Sequence, residues 1–419
     1  MRLVTAMIIG ASVFALAACH KSSSTRASSS AGSNTIATAA SNVVTATVSA
    51  GPGPNANINT LYTTVTICAP GSTTNCQTID NIAVDTGASG LRVIASVLSP
   101  ALAAALPLQV DGSGNNIVEC TQYAIGYAWG PVATADMTIS GESAASLPIQ
   151  IIGSSQFPTA PAACAGTGVP QDTVPSFGAN GTIGVSVFTQ DCGSDCALTQ
   201  DTSINPGLYW ACSSPNSCSI TTVPLAHQVP NPVTLFAIDN NGVIIELPAI
   251  SATGSATVTG AIVFGVDTQT NNASGTATVL TVDPVHGYLS TAFNGVAFPQ
   301  SFFDTGSNSL YFNDSALTPT LALCSDQANT GFYCPTSTAS YSAAVQSTDN
   351  VLISVPFSVA NTDTLRAGGT SLIAFNDLGE KFSVPGVFDW GIPFFFGRNV
   401  YNVIEGKTTT VATGPYVAF

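Results

Sequence analysis

The tripeptide Asp-Thr-Gly occurs twice, at Asp85-Thr86-Gly87 and at Asp304-Thr305-Gly306, and each copy closes an apolar run. Ile82-Ala83-Val84 leads into the first and Phe302-Phe303 into the second, while Ala88-Ser89 and Ser307-Asn308 follow. One such tripeptide in a chain so rich in Thr and Gly carries little weight. Two, delivered in the same context from opposite halves, demand two strands that each end on a carboxylate and turn at once through a glycine. Asp, Thr and Gly are ordinary in exposed turns, but the apolar flanks are wrong for that reading.

Paired carboxylates held close cannot both ionise. They share one proton and titrate in two separated steps, which suits acid–base work on a water and a carbonyl. The Thr86 and Thr305 hydroxyls have the reach to brace the opposite loop, and Gly87 and Gly306 permit the tight turns.

The rest of the chain runs mostly in β-formers, as in Val43 to Val48, Thr257 to Val266 and Thr276 to Val282, bounded by Gly, Asn or Asp. Helices are few, with Ser96 to Leu106 the best candidate, so the expected class is mainly β with short helices. The order of elements repeats. The first strand–Asp unit is followed by Thr182-Ile183-Gly184-Val185 and the second by Phe394-Phe395-Phe396-Gly397, which predicts two related β lobes, 41–225 and 226–419, facing across a cleft.

Only 7% of residues are charged while 45% are hydrophobic, so Ser, Thr, Asn and Gln must supply solubility. A net charge of −15 argues against nucleic acid, whose phosphates need cationic partners. Residues 1–19 read as a targeting segment: Arg2, an apolar stretch from Leu3 to Leu16 too short to span a bilayer, then Leu16-Ala17-Ala18-Cys19. That ending resembles the bacterial lipobox, which implies a lipid on Cys19 and an address in the bacterial cell envelope. With His20 next, the outer membrane is the expected site if the cell is Gram-negative. Residues 20–40, rich in Ser, Ala and Thr, read as a flexible tether.

Setting Cys19 aside, ten of the eleven cysteines remain, an even number suited to an oxidising compartment. Cys68 and Cys76, Cys192 and Cys196, Cys212 and Cys218, and Cys324 and Cys334 are near neighbours, leaving Cys120 with Cys164. The four between Cys192 and Cys218 admit other connections. No paired short-spaced Cys/His groups suggest a metal, and no dinucleotide loop or Gly-x-Ser-x-Gly elbow appears, so no cofactor is expected.

From about Asn42 to Phe419 the chain resembles the pepsin-like two-lobed aspartic proteases. The resemblance rests on Ile82–Ser89, on Asn180-Gly181-Thr182-Ile183-Gly184, on Phe303–Ser307 and on the tail from Pro393. The chain is also similar to an uncharacterised family of bacterial lipoproteins with the same two motifs, domain of unknown function 3443. The first resemblance implies a double β-barrel with short helices and an endopeptidase in which Asp85 and Asp304 activate a water. It also implies bracing by Thr86 and Thr305, glycines 87 and 306 facing a peptide substrate, and a Ser307 hydrogen bond to Asp304. A hairpin over Cys120–Asp136 stands where that family has a flap. Tyr127 is the first choice for its tyrosine, Tyr123 and Trp129 the others, with a tip at Gly126-Tyr127 or Trp129-Gly130-Pro131 and the Cys120–Cys164 bridge at the base. Ala88 replaces the family's usual Ser or Thr, which removes a donor to Asp85 and predicts a pH optimum less acidic than pepsin's. The alternative is a catalytically inactive surface lipoprotein of the same fold that binds a peptide or glycan.

Overall fold

The structure is a computed structural model, and the residues it describes are 34–419 apart from positions 55, 167, 199–204, 318 and 370. The targeting segment, Cys19 and the first part of the tether lie outside them. Residues 34–40 depart from the tether expected there. Asn34 Nδ2 donates to Leu247 O (3.0 Å) and Asn399 Oδ1 (2.7 Å), and Ala37 N–H donates to Glu246 Oε2 (2.5 Å), so this stretch is laid against a strand.

The fold is mainly β. Among the described residues the strands form two sheets, of sixteen and seven strands. Helices are short, and the reason is local. Ser99 precedes Pro100 and is therefore held extended, with φ −62° and ψ 145°. The helix expected over Ser96–Leu106 splits accordingly into a 3₁₀ turn at Ala95–Val97 and an α-helix at Pro100–Ala105 capped by Ser99.

Each Asp-Thr-Gly copy sits in the same local topology. Strand Cys76–Asp85 runs parallel to Gly181–Val185, with Asp85 opposite Gly184; that strand is antiparallel to Ser89–Ile94, which is parallel to Glu142–Ile152. In the second half Val296–Asp304 runs parallel to Val387–Gly391, with Asp304 opposite Gly391; that strand is antiparallel to Leu310–Phe312, which is parallel to Gly379–Lys381. The counterpart of Gly181-Thr182-Ile183-Gly184 is therefore Phe388-Asp389-Trp390-Gly391, not Phe394–Gly397. The latter begins at the end of the 3₁₀ turn Ile392–Phe394 and closes on Gly397, which has φ +79° and donates its N–H to Leu247.

The halves share a sheet. Val43–Val48 pairs along its whole length with Val258–Phe264, which leads through Gly242–Leu247 to Arg398–Val403 and Tyr416–Ala418. Every residue of Gly242–Leu247 is buried, as a strand covered on both faces requires. The largest hydrophobic cluster runs through both halves, joining Val84 and Ile183 to Phe303 and Trp390. Disulfides join Cys68–Cys76, Cys120–Cys164, Cys192–Cys196, Cys212–Cys218 and Cys324–Cys334.

Candidate active site

The two loops meet face to face. Thr86 N–H donates to Thr305 Oγ1 at 3.1 Å, and Thr305 N–H to Thr86 Oγ1 at 3.0 Å. Each hydroxyl donates in turn to the strand opposite, Thr305 Oγ1 to Val84 O at 2.7 Å and Thr86 Oγ1 to Phe303 O at 3.3 Å. This reciprocal bracing, buried in the join between the halves, fixes the carboxylates that precede it. Gly87 N–H lies 2.8 Å from Asp85 Oδ1 and 3.1 Å from Asp304 Oδ1, while Gly306 N–H donates to Asp304 Oδ1 at 2.7 Å. The glycines are required by space. A Cβ on Gly87 would fall 2.7 Å from Asp304 Cγ, and one on Gly306 would fall 2.8 Å from Asp85 Cγ.

Asp85 is half-buried and Asp304 is 7% exposed. Burial first, and the adjacent Asp85 charge second, push the Asp304 carboxyl up to about 8. It therefore holds the proton of the pair through neutral pH.

A third carboxyl lies behind it. Ser307 Oγ is 3.2 Å from Asp304 Oδ2 and 2.5 Å from Asp389 Oδ2. One hydroxyl hydrogen serves only one acceptor, so both contacts are hydrogen bonds only if one of the two carboxyls is protonated and itself donates to Ser307. The Asp304 proton is the one shared with Asp85, so the donor to Ser307 is Asp389, and Ser307 donates to Asp304. Asp389 is buried, its Oδ1 has no partner among the described residues, and burial followed by the Asp304 charge raises it well above the usual carboxylate range. Sequence reading missed it because an Asp interrupts the apolar–Gly pattern sought there; the signal was an acid two residues before Gly391.

Ala88 is buried and brings no hydroxyl to Asp85. The Ser89 hydroxyl contacts Ser186 Oγ (2.7 Å) and donates to Phe188 O (3.0 Å) instead.

The hairpin is Asn116–Tyr123 with Gly126–Ile139, and Tyr123 opposes Gly126, so its tip is Ala124-Ile125 rather than either glycine step. Gly126, Trp129 and Gly130 are strand residues. Of the two hairpin tyrosines, Tyr123 and not Tyr127 feels the Asp85 charge. Its ring packs edge-on to Phe177, and its buried hydroxyl has no partner among the described residues. Burial, opposed by Arg92 and reinforced by Glu119 and Asp85, holds its phenol well above its ordinary value. Tyr127 instead feels Asp172, and its carbonyl accepts from Gln171 N–H. Trp129 is buried edge-on to Trp210, beside the Cys120–Cys164 bridge.

Arg92 fixes this hairpin to the first loop. Fully buried, it donates to Ser89 O (2.7 Å), Thr121 Oγ1 (2.9 Å), Glu119 Oε1 (2.6 Å) and Asp191 Oδ2 (3.0 Å). Its acids lie 27 and 99 residues away, so no local sequence signal announces them.

A pocket opens beside Gly87, walled by Phe188, His286, Tyr288 and Phe302, with His286 stacked on Tyr288. Leu310 and Phe312, on the strand after the second loop, are core residues. Among the described residues the one group with metal-ligand spacing is Cys324, Cys334 and Asp363, and its sulfurs are joined in a disulfide.

Compared with known proteins, residues 38–419 match the family described as Protein of unknown function (DUF3443), and no curated protein matches.

Proposed function

The chain belongs to the DUF3443 family, and from that premise, which leaves the chemistry to the site, we propose that it is an aspartic endopeptidase of pepsin-like, two-lobed architecture. The observation that carries the reading is the meeting of two braced Asp-Thr-Gly loops, with the Gly87 N–H within reach of both carboxylates. In the proposed reaction a water lies between Asp85 and Asp304. Ionised Asp85 takes a proton from the water as its oxygen bonds to the scissile carbonyl carbon, and Asp304 gives its proton to the carbonyl oxygen. The tetrahedral diol collapses when the amide nitrogen takes the proton held by Asp85, the C–N bond breaks, and a diol proton returns to Asp304. The asymmetry of the pair supports this division of labour, since Asp304 alone is buried and backed by Ser307 and Asp389. Tyr123 closes over the substrate from the hairpin, and the aromatic pocket beside Gly87 takes an apolar side chain flanking the scissile bond. The lobes are 41–225 and 226–419, and a lipid on Cys19 holds the protein at the cell envelope.

Titration with a statine-type transition-state mimic tests the reading. An acid pair sharing one proton binds the mimic tightly, and both Asp85→Asn and Asp304→Asn lose that binding by a factor of about 10² or more. A folded wild-type chain with no affinity for the mimic would point instead to an inactive surface protein that binds a peptide or glycan in the same cleft.

A further inference from the structure

A second cavity, of about 400 Å³, lies in the second half, within the size range of small-molecule sites. It opens where the ends of the seven-stranded sheet approach each other. Ala339–Gln346 and Leu352–Val359 form one wall, the turn at 376–377 the other, and Ala360 N–H donates to Asp377 O at 2.8 Å across the join. Side chains alternate along a strand, so Asp389 faces Ser307 while its neighbour Trp390 lines this cavity. The cavity is thus set apart from the paired aspartates.

Its polar groups are a mismatched set. Asp377 is 3% exposed, and its Oδ1 and the adjacent Asn376 Oδ1 have no hydrogen-bond partner among the described residues. Arg398 lies over the Phe394 ring at 4.4 Å and donates to Phe394 O. No ion pair among the described residues joins Arg398 to Asp377 or to any other acid. Each charge lacks a counter-charge, and burial accordingly pushes Asp377 up to about 6 and Arg398 down to about 10. Half-buried Tyr341 and Phe357 supply apolar surface between them. The acid is held in place, because Asn59 from the first half clamps Phe375 through both its N–H (2.7 Å) and its O (2.8 Å).

An uncompensated anion and cation in one aromatic-walled cavity ask for a ligand that carries both opposite charges. We propose that this cavity binds a small zwitterion with an apolar side chain, an amino acid or short peptide. The ammonium sits on Asp377 and Asn376, the carboxylate on Arg398, and the side chain against Tyr341 and Phe357. A neutral saccharide would satisfy the acceptors but leave both charges unpaired.

Isothermal titration of the full chain tests this with L-phenylalanine, the dipeptide Phe-Phe, phenethylamine, 3-phenylpropionate and maltose. The amino acid or the dipeptide binds, and whichever binds tighter identifies the source. Each half-analogue is at least about tenfold weaker, and maltose does not bind. Asp377→Asn removes the preference over 3-phenylpropionate only, and Arg398→Gln removes the preference over phenethylamine only, a crossed pattern that misfolding does not produce. The panel repeated on Asp85→Asn, whose paired-aspartate cleft is altered and whose cavity is intact, gives the same pattern, which separates the two pockets even if a cavity variant fails to fold. No binding by either zwitterion, equal binding of the half-analogues, or binding of maltose alone would overturn the proposal.

Discussion

At the scale of single residues, the behaviour of the site turns on where protons sit. If Asp389 is a neutral acid, Asp389→Asn replaces one neutral donor to Ser307 by another, and the alkaline limb of the activity profile stays within about 0.3 pH unit of the wild type. A charged Asp389 holds that limb up by repulsion, so its removal would lower the limb by about one unit; pH–rate profiles of the two proteins separate the cases. Asp304 makes a stability prediction whose sign runs against the usual carboxylate. Its folded carboxyl titrates near 8 against an ordinary value of 3.8, so the folded state binds the proton more tightly. Below pH 3.8 both states are protonated and nothing is lost. As pH rises toward 8 the unfolded state sheds the proton first and stability falls. Asp304→Asn is therefore expected to melt about 2 °C or more above the wild type at pH 7 and level with it at pH 3.5, read by calorimetry. The Asp-Thr-Gly pairs and their flanks were legible in sequence because their chemistry is written in adjacent residues. Asp389 was not, because its meaning comes from a parallel strand pairing that places it beside Ser307.

At the scale of elements, the hairpin and the buried Arg92 decide how the first loop is covered. Tyr123 carries an unpartnered buried hydroxyl that feels the Asp85 charge, whereas Tyr127 feels Asp172. Tyr123→Phe is expected to lower kcat/KM about tenfold, the worth of one hydrogen bond, and Tyr127→Phe to leave it within about twofold, in steady-state kinetics on one peptide. The sequence pointed the other way because glycine marks turns, yet this hairpin turns through Ala124-Ile125 and spends its glycines inside a strand. Gly130 has its own reason, since a Cβ there would meet Ile151 O at 1.9 Å. Arg92→Met leaves Glu119 and Asp191 buried without their cation. The expected loss is about 3–5 kcal/mol in denaturant unfolding, with a loss below about 1 kcal/mol showing that the network is not what anchors the hairpin. The short helix taught a similar lesson. The Ala/Leu run was readable, but Pro100 allowed it to start only after Ser99.

At the scale of the whole molecule, β class and internal repetition were legible from strand patterning and the duplicated motif. The second apolar–Gly element was sought at Phe394–Gly397 because that run is more apolar than Phe388–Gly391, and only the register of Asp304 opposite Gly391 shows which one pairs. Invisible too was the joining of the halves through Val43–Val48 and Val258–Phe264, since nothing local to either strand names its partner. That shared sheet lets two loops 219 residues apart brace one another through their threonines. Whether these loops hold an acid pair that cleaves peptide bonds is tested by peptide-library cleavage by the full chain scanned from pH 2 to pH 9, beside Asp85→Asn and Asp304→Asn. Cleavage is expected next to apolar side chains with a weakly acid to neutral optimum, falling as Asp304 deprotonates near 8, with at least about a 10³-fold loss in both variants. Absence of cleavage across that range by a folded wild-type chain, or activity that survives either substitution, would contradict it.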